Sequence, residues 1–110
     1  MKIKFNVPIF YTAVTVSDKI EDVFYTDHDR DLARKSFGQT GWFNGRGIHI
    51  YIEPNAPRDT LVHECVHAAG LILKMRGIQY STPPDDEALA YLTGYIYAEI
   101  QKIFNKKNIS

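Results

Sequence analysis

The hydrophobic positions of the chain follow two different periods. Ile9 to Val16 is rich in β-branched and aromatic residues, and this predicts a strand that begins near Ile3 and bends at Pro8. Gly47 to Ile52 alternates cleanly, so Ile48, Ile50 and Ile52 are expected to face the core while His49 and Tyr51 point to the other side. Just before it, Gly41-Trp42-Phe43 is joined to this run through Asn44-Gly45, a hairpin signal. Between these strands, Ile20, Val23 and Phe24 have helical spacing, while the charged run Asp27 to Asp31 precedes Leu32, Ala33 and Phe37. Helix is therefore predicted over much of Lys19 to Phe37, preceded by a turn or cap at Ser17-Asp18 and ended by Gly38.

The second half of the chain reads as two long helices. Indexed at about 100° per residue, Leu61 to Arg76 is apolar around most of its circumference, which predicts a buried helix. Before Arg76 its polar exceptions are His63, Glu64, His67 and Lys74, gathered within one arc of about 100°. Pro54 and Pro57 break the preceding strand, Arg58-Asp59-Thr60 opens the helix and Gly77 ends it. Thr82-Pro83-Pro84-Asp85 then reads as a helix start, followed by a helix from about Pro84 to Phe104. Its apolar stripe is Leu89, Leu92, Ile96, Ile100 and Ile103, opposite a column of Glu87, Tyr91, Gly94 and Ala98. The expected fold is α+β: one domain over residues 1–104, with a short mixed β-sheet packed on a central helix and a long C-terminal helix. Residues 105–110 are read as a frayed polar tail.

The polar arc of the central helix carries the chemistry. In His63-Glu64-Cys65-Val66-His67 the two His stand one turn apart on one face, so their imidazoles can converge on a single zinc. Glu64 sits beside that point, where its carboxylate can hold a water against the metal and take its proton. With 4 His and 5 Glu in 110 residues, this three-residue match would arise by chance with a probability of about 0.006. Cys65 projects onto the opposite side of the helix and is expected to be a core residue, not a ligand. The run Asp27-His28-Asp29-Arg30-Asp31 lacks the glycine and terminal acid of a calcium loop, and reads as a solvated helix start.

A catalytic zinc needs a third protein ligand and an open position. Glu87 is the leading candidate, because its column carries two small residues and Gly70 on the central helix offers a matching recess. Asp86 and Asp85 are the alternatives, and all three acids also suit a helix N-terminus. Tyr91, one turn beyond Glu87, is a candidate donor to a developing oxyanion, set against an ordinary packed phenol. His49 and Tyr51 lie on the strand just before the metal helix and are candidate substrate-binding residues, although the base rate for His49 favours a plain surface position.

Composition narrows the remaining classes. The 13 basic and 13 acidic residues balance to zero net charge, so no nucleic-acid partner or anionic membrane surface is indicated, and self-association is left open. One cysteine excludes an internal disulfide and fits a reducing compartment. Lys2 and Lys4 before an apolar run imitate a signal peptide, but Asn6, Pro8, Thr12 and Thr15 interrupt it. No stretch approaches the roughly 20 apolar residues of a membrane span.

The His-Glu-x-x-His motif with a Glu 20 positions after the second His, in Asp86-Glu87-Ala88-Leu89-Ala90-Tyr91, resembles the gluzincin metallopeptidases. In size the chain is similar to the minigluzincins, single-domain forms reduced to the catalytic core. The wording Arg58-Asp59-Thr60-Leu61-Val62-His63-Glu64-Cys65-Val66-His67-Ala68-Ala69 also resembles small HExxH proteins encoded by tailed bacteriophages, over about half of the chain, from Gly45 to Ile96. The resemblance implies zinc ligands His63, His67 and Glu87, Glu64 as general base, and a strand beside the cleft, Gly47 to Ile52, that pairs with an extended peptide substrate. It also implies a site in the cytoplasm of a host cell. The expected function is zinc-dependent peptide hydrolysis. The alternative is a zinc-stabilised module that captures a peptide or protein partner without turnover.

Overall fold

Pro8 has no N–H to contribute to a ladder, and the chain turns there instead of bending through it. In the computed structural model, which describes residues 1–78 and 86–109, strands β1 (Lys2–Val7) and β2 (Thr12–Ser17) form an antiparallel hairpin with Ile3 opposite Val16 and Phe5 opposite Val14. The expected single strand from Ile9 is therefore corrected. Ile9 and Tyr11 occupy the left-handed region at φ 72° and 50°, and they are 78% and 90% exposed. Strand-like composition did not make them strand, because nothing packs on them.

The expected helix between Lys19 and Phe37 is two short ones, α1 (Ile20–Val23) and α2 (Asp27–Arg34). Ser17 Oγ accepts from Lys19 N at 3.0 Å and donates to Asp22 Oδ2 at 2.7 Å at the entry to α1. Thr26 caps α2, its Oγ1 accepting from Asp29 N at 3.1 Å, and Asp27 and Asp29 favour the positive end of the helix.

The Asn44-Gly45 hairpin forms as expected, joining β3 (Gly38–Phe43) to β4 (Gly47–Ile52). The sheet is mixed, in the order β1-β2-β4-β3, with β4 parallel to β2. Gly47 makes that parallel junction feasible. Its φ is 84°, and a Cβ there would run into the Ala13 carbonyl.

Helix α3 (Thr60–Met75) ends at Gly77, where Ile78 N donates to Leu73 O at 2.8 Å. Helix α4 (Asp86–Ile109) is the last element. The predicted helix start at Thr82 to Asp85 lies outside the described residues. At its far end α4 passes Phe104 and continues to Ile109, through residues expected to fray.

The two faces of the sheet are buried by different helices. Ile3, Val14, Val16, Ile48 and Ile50 share one core with Cys65, Ala68, Ala69, Ile72 and Leu73 of α3 and with Leu92, Ile96 and Ile100 of α4. Each Val, Leu or Ile among them contributes roughly 1.5–3 kcal/mol on burial. On the other face Tyr51 packs with Val23, Phe24 and Ala33 beneath α1 and α2. The architecture is α+β, a four-stranded mixed sheet with helices. No helix of the described residues is long and apolar enough to cross a membrane.

Candidate metal centre

Helix α3 lies with one side on the sheet and α4, and the other side faces outward. It is not buried all round as its composition predicts: Val62 and Val66 are 43% and 41% exposed, on the same side as His63 and His67, which are also exposed. Glu64 turns the other way and is buried between α3 and β3. The ends of the two imidazoles meet, with Nε2 of His63 and Nε2 of His67 3.1 Å apart. Two nitrogens at about 2.05 Å from a tetrahedral zinc would be roughly 3.3 Å apart. The helix has thus brought the pair close to chelating separation before any metal is considered. Glu64 Oε2 lies 3.9 Å from His63 Nε2. Among the described residues, His63, Glu64 and His67 are the group whose donor atoms converge, all within 4.8 Å of one another. This donor set of two imidazoles and an adjacent carboxylate suits zinc.

Strand β3 supplies the second wall. In the sheet Thr40 lies opposite Ile50 and so faces α3, and its hydroxyl donates to Glu64 Oε1 at 2.6 Å. Gly38 stands where a Cβ would come within 2.9 Å of Glu64 Cγ and of Thr60 Cγ2. Sequence reasoning passed over both residues. Thr40 was findable, because it lies two positions before Trp42 in the hairpin and must share that residue's face. Two clefts meet at this point. One, of about 380 Å³, is lined by Gly38, Gln39, Thr40, His63, Glu64, His67 and Leu71. The other, of about 410 Å³, continues past Gly38, His63 and Glu64 to Phe37, Pro57 and Thr60. Together they form a groove along the outer edge of β3, whose only strand partner among the described residues is β4.

Several expected site residues lie elsewhere. Gly47 to Ile52 is not the strand beside the cleft, because β4 is paired on both sides, with β2 and β3, and has no free edge. His49 and Tyr51 are buried on the sheet face away from α3, so the sheet separates them from His63. His49 is only 3% exposed, which also corrects the expectation of a surface position. Its Nδ1 donates to the Val23 carbonyl at 2.8 Å, with the Tyr25 hydroxyl 3.4 Å from the same nitrogen. Burial holds its pKa below the ordinary histidine value.

On α4 the apolar stripe packs as predicted, with Leu92, Ile96 and Ile100 buried. The column of Glu87, Tyr91, Gly94 and Ala98 therefore faces solvent and not α3, and nothing lies within 4 Å of the Cβ position at Gly94. Glu87 is exposed on the first turn of α4 and does not join the converging donors. Asp86 is exposed beside it, and Asp85 lies outside the described residues. Tyr91 is exposed as well and lines neither cleft. Cys65 is fully buried, and burial, with the nearby Glu64 charge second, pushes its thiol up to about 12. That is a core cysteine and not a ligand.

Compared with protein-family models, with curated proteins and with solved structures, the chain gives no match. The chemistry is accordingly argued from the site itself.

Proposed function

We propose that this chain is a zinc-dependent peptidase that acts on an extended segment of peptide, in a minimal domain of the gluzincin kind. The observation that carries the reading is the 3.1 Å approach of the His63 and His67 nitrogens beside a buried carboxylate, at the floor of a groove that follows a free strand edge. Bound there, zinc would supply Lewis acidity toward a carbonyl oxygen and acidify a water at neutral pH.

The protein's own groups divide the remaining work. Thr40 occupies Glu64 Oε1, which leaves Oε2, the oxygen nearer His63, as the base. It takes a proton from the attacking water and returns it to the departing amine nitrogen. The unpaired edge of β3 offers backbone N–H and C=O groups to a substrate strand, so affinity comes from main-chain hydrogen bonds and selectivity from the clefts on either side. The reading takes its third ligand from Glu87 on sequence spacing alone. Because Glu87 is exposed on the side of α4 turned from α3, it requires the first turn of α4 to swing toward the histidines when zinc binds.

The non-catalytic alternative also has an observation in its favour. The His63 side chain is 67% exposed, and catalysis usually profits from excluding water. Elemental analysis of zinc, paired with peptide-library cleavage, tests both. One zinc per chain that is lost in His63→Ala and weakened in Glu87→Ala is expected. Glu64→Gln should keep the zinc and lose at least about 100-fold in cleavage rate. Zinc binding with peptide capture but no cleavage in the wild type would leave the binding module.

A further inference from the structure

A cavity of about 560 Å³ exceeds in volume either cleft beside His63 and is separate from them. It opens on the other face of the sheet and at the end where both hairpin turns lie. The topology explains why so many chain segments meet there. Because β2 and β4 run parallel, the Pro8–Tyr11 turn and the Asn44–Arg46 turn emerge at the same end, and the C-terminus of α3 delivers Arg76 to it as well. Helices α1 and α2 cover the part of this face around Tyr51 and Phe43. The β1 and β2 part, with Lys2, Lys4 and Thr15, lines the cavity.

Two chemical features distinguish its walls. The first is charge: Lys2, Lys4, Arg46 and Arg76 line it and, among the described residues, no Asp or Glu does, in a chain whose net charge is zero. Among the described residues Lys4, Arg46 and Arg76 take part in none of the ion pairs. Arg76 is held by neutral oxygens, its Nε donating to Phe10 O at 3.0 Å and its Nη2 to Thr12 Oγ1 at 3.2 Å, so its charge is oriented without being neutralised. The field reaches His49, where Arg46 and Lys2 both add to the downward shift that burial begins.

The second feature is planarity. Tyr11, Tyr25 and His49 also line the cavity, and the Arg46 guanidinium already lies over the Tyr25 ring at 4.4 Å from its centroid. The rim is strained. Ile9 and Tyr11 hold left-handed backbone in the turn that Arg76 clamps, a cost that persists only where surrounding structure imposes it.

We propose that this cavity is a binding site for a mononucleotide, with the phosphate against Lys4, Arg46 and Arg76 and the base against the aromatic side chains. A phosphate alone would use only the cationic wall, and an apolar ring alone only the aromatic one. The volume is in the range of small-ligand sites. A chain of zero net charge lacks the general attraction that long nucleic acids need. The site is independent of the peptidase reading, since the sheet lies between it and His63.

The test titrates AMP into the full chain, read by calorimetry, with adenosine, inorganic phosphate and an oligo-dT series as comparison probes. Saturable AMP binding is expected, weaker for adenosine and for phosphate, unchanged by a zinc chelator, and reduced at least about tenfold by Arg46→Ala and by Lys4→Ala. Both substituted side chains are exposed, and thermal melts confirm that the variants fold. No saturable binding overturns the proposal, as does binding that neither variant weakens. Affinity for oligo-dT that exceeds AMP and grows with length also overturns it, in favour of a single-stranded polymer.

Discussion

The Thr40 hydroxyl donates a 2.6 Å hydrogen bond to Oε1 of Glu64, and this contact joins the edge strand of the sheet to the helix that carries both histidines. Glu64 is buried, so the donor is part of what makes that burial tolerable. Thr40→Val removes the hydroxyl at nearly constant volume. It is expected to destabilise the fold by about 1–3 kcal/mol in urea denaturation, because a buried acceptor loses its partner. Thr40→Ser should recover most of that loss. If Glu64 is the base, Thr40→Val also lowers kcat more than it raises KM.

Gly38 tests the same wall by crowding. A methyl group there meets Glu64 Cγ and Thr60 Cγ2 at 2.9 Å, and neither is the free end of a long side chain. Gly38→Ala should cost about 1–3 kcal/mol and displace the carboxylate, while zinc content, set by His63 and His67, stays at the wild-type level. Loss of zinc in this variant would show that Gly38 supports the histidines and not Glu64.

The buried His49 makes stability depend on pH in a definite direction. Its folded pKa lies below the ordinary value, chiefly through desolvation, so the unfolded chain takes up a proton that the native state refuses. Its contribution is complete above an unfolded pKa of about 6.5 and is lost as the pH falls from there toward the folded value. Urea midpoints measured between pH 7.5 and 5.5 should fall more steeply in wild type than in His49→Asn. The other three histidines remain in both proteins, so the difference isolates this one.

Cys65 should be chemically silent. Its side chain is fully buried and its thiol is pushed up to about 12, so a maleimide at neutral pH is expected to leave the native protein unlabelled and to modify one thiol per chain in denaturant. Rapid labelling of the native form would mean that α3 opens away from the sheet and α4.

Where a local period met a single-sided environment, the sequence was legible. The stripe of Leu92, Ile96 and Ile100 on α4 and the Gly77 stop of α3 needed no tertiary knowledge. The convergence of His63 and His67 followed from i, i+4 geometry alone. Other features were set by neighbours distant in sequence. Val62 and Val66 read as core because apolar residues usually are, yet nothing in the described fold covers that side of α3. His49 read as surface because its strand alternates, yet β4 is central and α1 and α2 roof its second face. The strand lining the groove was misassigned for the same reason. Nothing local to Gly47–Ile52 reveals that β2 will pair on its far side. The column of Glu87 and Tyr91 was inferred to face α3 from its small residues, but the stripe opposite makes that contact.

The parallel junction between β2 and β4 has a consequence for how the molecule assembles in time. Each hairpin closes over a short turn, whereas Val14 must find Ile48, 34 positions along the chain, with α1, α2 and β3 in between. Loop closure of that span is entropically the steeper step. Gly38, Thr40, His63, Glu64 and His67 all come from the C-terminal partner in this encounter. Lys4 and Arg46 come from opposite partners. A ligand that bridges the last two would therefore act as a clasp on this seam, and lengthen the lifetime of the native state by up to the factor by which its binding stabilises that state.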